Sequence, residues 1–274
     1  MIPTCRQYHR ARRGNNLHYI SVTTEGAVCT ITLNRPEKRN AVHGPMATEL
    51  RAAFVQFEES PSLRVAVLTG AGGNFCAGAD LGAIGDPAMR NELEPDGGGT
   101  GPMGPTRLAL SKPLIAAVNG YAVAGGLELA LLADLRVADE DAIFGVFCRR
   151  WGVPLIDGGT VRLPRIVGMG RALDMILTGR AVEAPEAMTM GLVNRVVPTG
   201  EALSAAQQLS RQIAAFPQQC MLTDRASAFS QWDLPLDQAL RREGALGAPI
   251  VFGEGNIGAA RFAAGAGRHG NFNT

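Results

Sequence analysis

The chain has 274 residues, enough for one large domain or for a core with an appendage. Hydrophobic residues make up 46% and charged residues 19%, a balance that reads as a soluble globular protein. With a formal net charge of +1 and its acids and bases mixed, it has no basic face of the kind nucleic-acid binders carry.

At the N-terminus Arg6, Arg10, Arg12 and Arg13 precede the first acid, Glu25, without an apolar signal centre, so residues 1–18 read as a solvated basic tail. Tyr19–Thr24 and Val28–Leu33 alternate like paired strands joined at Glu25-Gly26. Helical spacing follows from Pro45 to Glu59 through Met46, Leu50, Phe54 and Phe57. Arg64–Thr69 and Leu114–Val118 are short apolar strands ending at Gly70 and Asn119-Gly120. Between them, residues 86–105 change composition, and Asp96-Gly97-Gly98-Gly99-Thr100-Gly101-Pro102 is too rich in glycine for a stable element. That stretch reads either as an insertion without a role or as a lid.

Residues 114–133 are the most apolar of the chain, but Asn119, Glu128 and three glycines interrupt them, which favours a buried strand, turn and helix over a membrane span. Leu135–Ala138 and Ala142–Phe144 read as further strands, so the class is α/β. From about Glu201 the chain turns helical, through Glu201–Phe216, Gln219–Phe229, Leu236–Leu246 and Asn256–Ala264. The organisation expected is a tail over 1–18, a core over 19–200 and a helical region over 201–274.

Five cysteines, Cys5, Cys29, Cys76, Cys148 and Cys220, are far apart and form no CxxC pair, which points to a reducing cytoplasm. His43 and the other histidines show no metal-ligand spacing, so no metal is expected.

Two small-residue corners carry the chemistry. Ala77-Gly78-Ala79-Asp80-Leu81 and Asn119 through Glu128 each let a backbone N–H approach a ligand with no side chain in the way. Gly125 stands where the chain enters a helix, so its N–H is an unpaired first-turn donor at the positive end of the dipole. Two N–H groups, from Ala79 and Gly125, aimed at one oxygen make an oxyanion hole. Glu128 follows one turn later among apolar neighbours, where burial raises a carboxyl's pKa towards neutrality. Each corner alone would read as a tight turn; together they read as a site.

Taken together, these residues resemble the active site of the crotonase superfamily, the enoyl-CoA hydratase/isomerase family. The resemblance runs from about Tyr19 to Phe272 and includes the run Asn34–Ala41, Lys112-Pro113 through Asp134, Phe144-Gly145, Asp157-Gly158-Gly159-Thr160, Leu177–Arg180 and Gly191-Leu192-Val193. It implies a β-β-α superhelical core with a C-terminal helical trimerisation region, in homotrimers or hexamers. It also implies an acyl-CoA substrate whose thioester enolate is held by Ala79 and Gly125, with Glu128 as catalytic glutamate. Contacts to CoA fall at Lys38, Arg39, Ala77, Asp80 and Leu81, and coenzyme A enters as part of the substrate, with no separate cofactor.

The chain departs from the family's hydratases at one position. Where they carry a second glutamate after the Phe-Gly pair, this chain has Cys148, a poor activator of water that reads as a small buried residue. Asp157 matches a catalytic aspartate of dienoyl-CoA isomerases, and reads equally as a turn residue or the N-cap of the next helix. Arg149 and Arg150 read either as an ion-pair face or as partners of a carboxylate or CoA phosphate. A CoA-thioester-binding protein without turnover, decarboxylation and thioester hydrolysis remain as alternatives.

Overall fold

Two strands and a tight turn open the chain. β1 (Ile20–Glu25) and β2 (Val28–Leu33) pair antiparallel with Glu25 opposite Val28, and Gly26 at φ +56° closes the loop. The computed structural model describes residues 17–267, so the expected N-terminal tail falls almost wholly outside the described residues. α1 (Gly44–Glu59) starts at His43, whose ring nitrogen accepts the Met46 N–H at 3.2 Å, and it turns Met46, Leu50, Phe54 and Phe57 inward.

β3 (Val65–Gly70) and β4 (Leu114–Val118) follow, then β5 (Tyr121–Val123), α2 (Gly125–Leu132), β6 (Leu135–Asp139) and β7 (Ile143–Gly145). Next come α3 (Gly159–Val167), α4 (Met169–Thr178), β8 (Val182–Glu183), α5 (Ala184–Thr189) and β9 (Arg195–Val197). The last elements are α6 (Ala202–Ala215), α7 (Gln218–Ser230), α8 (Leu236–Ile250) and α9 (Asn256–Ala263). α8 runs past the expected Leu246 through Pro249, and a wide π-turn follows at Val251–Gly255.

Six strands form one sheet in the order β1-β2-β3-β4-β6-β9, parallel except for the β1–β2 pair. Its inner strands β2, β3, β4 and β6 bury both faces, and the period of two sorts their side chains. Val28, Val65, Val67, Ile115 and Ala117 pack under Ala202, Ala206 and Leu209 of α6. Ile31, Leu33, Leu68, Ala116 and Val118 face the other way, towards α1 and α2. Phe54 and Phe57 are fully buried there, and truncating either to alanine would cost about 3–5 kcal/mol.

A smaller sheet, β5-β7-β8, adds Ala122, Phe144 and Val182 to the same core. α6 packs on the large sheet as part of the core, whereas α7, α8 and α9 bury no residue. No helix of the described residues is long and apolar enough to cross a membrane.

Between Ala83 and Leu114 no helix or strand forms among the described residues, as the glycine-rich composition predicts. The two ends of this segment differ. Residues 94–97 are exposed, but 102–106 are buried, with Met103 and Thr106 sealed completely. Its second half is thus a fixed piece of the core.

Candidate active site

The first corner is held between two neighbours. Single parallel bridges join Val42 to Ala79 and Cys76 to Ala122, so residues 76–79 run as a short informal strand. The Val42 N–H donates to the Gly78 carbonyl at 2.8 Å, and the Asp80 N–H to the Val42 carbonyl at 2.9 Å. Ala79 lies between them, and its N–H has no partner among the described residues.

The second corner turns β5 into α2 at Ala124, which takes φ +53° and ψ −126°. That conformation costs a residue with a Cβ about 1–3 kcal/mol and persists only where the surroundings over-determine it. Here the Ala124 N–H donates to the Gly145 carbonyl at 2.9 Å, and its carbonyl accepts the Glu128 N–H at 3.2 Å. The Gly125 N–H, first in the helix, is left without a partner among the described residues. Arg136, at the other end of α2, donates to the Ala133 carbonyl at 2.7 Å and holds a positive charge where the dipole favours it.

Only glycine lets the corners meet. A Cβ on Gly78, which sits at φ +101°, would stand 2.9 Å from the Ala124 Cβ and 3.0 Å from the Gly125 nitrogen. A Cβ on Gly126 would sit inside the Cys76 carbonyl. The two free N–H groups, from Ala79 and Gly125, line one cavity of about 1070 Å3.

Glu128 lines the same cavity and is 2% exposed. Its Oε1 accepts the N–H groups of Asp157 and Gly159, each at 2.8 Å. Oε2 has no protein partner among the described residues. Burial pushes the carboxyl up to about 7, against the pull of the two N–H donors and with a smaller push from Asp157. A group with that pKa exchanges protons at neutral pH.

Asp157 lies in the bend that precedes α3 but does not cap that helix. α3 begins at Gly159 with Gly158 as its cap, and no side chain caps it. Instead the Asp157 Oδ1 accepts the Met103 N–H at 2.9 Å and the Thr106 hydroxyl. Burial raises its pKa, opposed by these two bonds. Arg162 donates to the carbonyls of Asp157 at 3.0 Å and Thr106 at 2.6 Å, which ties the same two segments together. Asp157 therefore links three parts: its N–H holds Glu128, its Oδ1 holds the 103–106 segment, and it borders the cavity.

Residues 103, 106 and 162 carried no signal in the sequence, because these partners lie more than 50 positions apart. Met103 also packs on Gly125, where an added Cβ would lie 2.9 Å from its sulfur.

The remaining residues singled out from the sequence divide. Arg39, Ala77 and Leu81 line the cavity with Ala79. Asp80 turns away, pairs with Arg35 at 3.1 Å and caps the Gly82 N–H. Lys38 is exposed and outside the cavity lining. Arg149 donates to the Ile176 carbonyl, whereas Arg150 borders the cavity with its guanidinium 4.1 Å from the Phe147 ring centre. Cys148 is buried on the cavity wall, its thiol pushed up by burial and then by the Glu128 charge. Among the described residues no cluster of three His, Cys, Asp or Glu is placed to hold a metal.

A family model described as enoyl-CoA hydratase/isomerase matches residues 23–245. The chain belongs to the enoyl-CoA hydratase/isomerase family. It is 41% identical over 197 residues to a carnitinyl-CoA dehydratase of Proteus mirabilis, covering 71% of this chain and 74% of that one. An enoyl-CoA hydratase of Mycobacterium tuberculosis, EchA19, is 40% identical over 170 residues, 60% of this chain and 62% of its own. The crystal structure of an enoyl-CoA hydratase from the same organism superposes with a TM-score of 0.83 at 35% identity, over 90% of this chain and 96% of that one. One from Bacillus anthracis gives 0.81 at 30%, over 90% and 96%. The crotonase fold of this enoyl-CoA hydratase/isomerase family member is thus established, and with it the α/β core and the helical C-terminal region.

Proposed function

We propose that the chain is an acyl-CoA thioester enzyme of the hydratase/isomerase type. The observation that carries this reading is the pairing, on one cavity wall, of two N–H groups without partners among the described residues and a buried carboxyl that burial pushes up to about 7. The N–H groups of Ala79 and Gly125 hold the thioester oxygen and stabilise the enolate as charge builds on it. Glu128, fixed through Oε1, moves the proton with Oε2. Asp157 serves as the second proton carrier through its free oxygen, which no protein donor occupies among the described residues.

Two carriers and no second glutamate at position 148 suit a shift of the double bond, or addition of water through Asp157. The names of the relatives, hydratases and dehydratases of acyl-CoA thioesters, support the substrate class. Coenzyme A enters as part of the substrate, without a separate cofactor. Arg39, whose guanidinium lies 5.4 Å from the Tyr121 ring centre, and Arg150 have no carboxylate partner among the described residues and supply cations for its phosphates. Lys38, next in the chain to Arg39 but outside the cavity lining, adds a third cation, and Ala77 and Leu81 line the CoA corner while Asp80 braces it through Arg35.

The apolar faces of α7 to α9 meet in a homotrimer, or in a hexamer of two trimers. Phe252, 75% exposed, is the side chain such a contact would cover. Residues 19–200 supply the acyl-CoA site, 201–274 the helical region, and the free buried thiols suit a reducing cytoplasm.

The test is incubation with a short enoyl-CoA in heavy water, read by mass spectrometry. Addition of heavy water to the double bond identifies hydration; deuterium without added water identifies isomerisation. Tight binding with neither would favour the CoA-binding protein without turnover.

A further inference from the structure

We propose that Cys148 is a covalent capture site for α,β-unsaturated acyl thioesters bound in this cavity. The inference rests on the acyl-thioester reading of the site. Cys148 stands on the short helical turn Phe147–Trp151 that follows β7, and it borders the cavity shared by Ala79, Gly125 and Glu128. Its S–H donates to no acceptor among the described residues, while its sulfur faces the backbone N–H groups of residues 148 and 149. The Cys76 thiol, by contrast, donates to the Asn40 carbonyl at 3.1 Å and is spent on structure.

The second observation is Glu128 itself. It is 2% exposed, its Oε1 is committed to two N–H donors, and its Oε2 has no protein partner among the described residues. A buried base with one open oxygen and a thiol whose S–H has no acceptor among the described residues therefore share a wall. Burial, and after it the Glu128 charge, keeps that thiol protonated. A protonated thiol attacks only when a base removes its proton in the same step, and Glu128 is that base.

The step balances without an oxidant or a leaving group. Holding the thioester oxygen between two N–H groups draws electron density from Cβ of an enoyl chain. As the S–Cβ bond forms, the thiol proton passes to Glu128 and the π pair of the double bond moves into the enolate. The enolate then takes that proton from Glu128 at Cα. The product is a thioether that retains the intact CoA thioester, protein plus one whole acyl-CoA. Water attacking the same carbon would give the hydrated product, so capture competes with turnover and rises with the enoyl thioester concentration.

The full chain is incubated with but-2-enoyl-CoA, quenched in acid and measured by intact mass and peptide mapping; butanoyl-CoA is the saturated control. The expected result is a gain of one acyl-CoA located on Cys148, absent with butanoyl-CoA and absent in Cys148→Ala and Cys148→Ser. Glu128→Gln should slow it by about a hundredfold or more. Adduct found on the exposed Cys220, or retained in both Cys148 variants, overturns the proposal. So does turnover of but-2-enoyl-CoA with Cys148 unmodified, which leaves the acyl-thioester reading standing. If neither thioester binds, as judged by equilibrium dialysis, that reading itself fails and capture falls with it.

Discussion

Replacing Glu128 by glutamine should abolish turnover and at the same time stabilise the protein above neutral pH. Burial lifts the carboxyl from 4.5 to about 7. Below pH 4.5 it is neutral in folded and unfolded chains alike, and it contributes no pH-dependent penalty. Between 4.5 and 7 the unfolded chain ionises first, so stability falls by about 1.4 kcal/mol for each pH unit. Above 7 the whole loss, about 3 kcal/mol, is in place.

Glutamine has the same shape, stays neutral at every pH and still offers an oxygen to the N–H groups of Asp157 and Gly159. The gap between variant and wild type should therefore be under about 1 kcal/mol at pH 5 and near 3 kcal/mol at pH 8. For a chain of this size that corresponds to about 6–12 °C in Tm at pH 8. Urea titrations of both proteins at the two pH values measure the gap directly. A gap that is the same at pH 5 and pH 8 would refute the reasoning, because it would mean that Glu128 titrates alike in both states. The same titration predicts a rate that rises with pH through about 7 as the base ionises.

Three further outcomes follow from the geometry. Asp157→Asn retains an oxygen for Met103 and Thr106, so urea titration should show a change within about 1 kcal/mol, while turnover falls about 100-fold or more; Asp157→Ala should add a stability loss of about 1–3 kcal/mol. Gly126→Ala forces a Cβ into the Cys76 backbone and should cost about 3 kcal/mol or prevent folding, whereas Gly125→Ala meets first the buried Met103 side chain, which must shift, and should fold with reduced activity; thermal melts beside rate assays separate the two. Phe252→Asp should shift the assembly towards monomer in sedimentation without unfolding it, whereas an unchanged assembly would place the contact elsewhere.

What could be read from the sequence was whatever depends on neighbours along the chain. β2 and β4 begin and end where their apolar runs do, and β3, β6 and β7 lie within one residue of the expected strands. Gly125 opens α2 as the first-turn argument requires, and Glu128 is buried as its apolar neighbours suggest. β5 was hidden because its three residues sit between Gly120 and the strained Ala124, a backbone normally signalled by glycine. β8 and β9, of two and three residues, are strands only through their partners. Asp157 shows the limit most clearly: its local sequence, Asp-Gly-Gly-Thr, suggests a cap, but its carboxylate is used by Met103 and Thr106, which no spacing rule brings together.

The most direct test of the central claim is hydrogen exchange at Cα of a saturated thioester, butanoyl-CoA, in heavy water. It needs only the two N–H groups and Glu128, with no dependence on hydration, isomerisation or capture. The account predicts deuterium at Cα with the wild-type protein and none above background with Glu128→Gln, although both bind the thioester. Exchange that persists in Glu128→Gln, or bound thioester that never exchanges with the wild type, would contradict it.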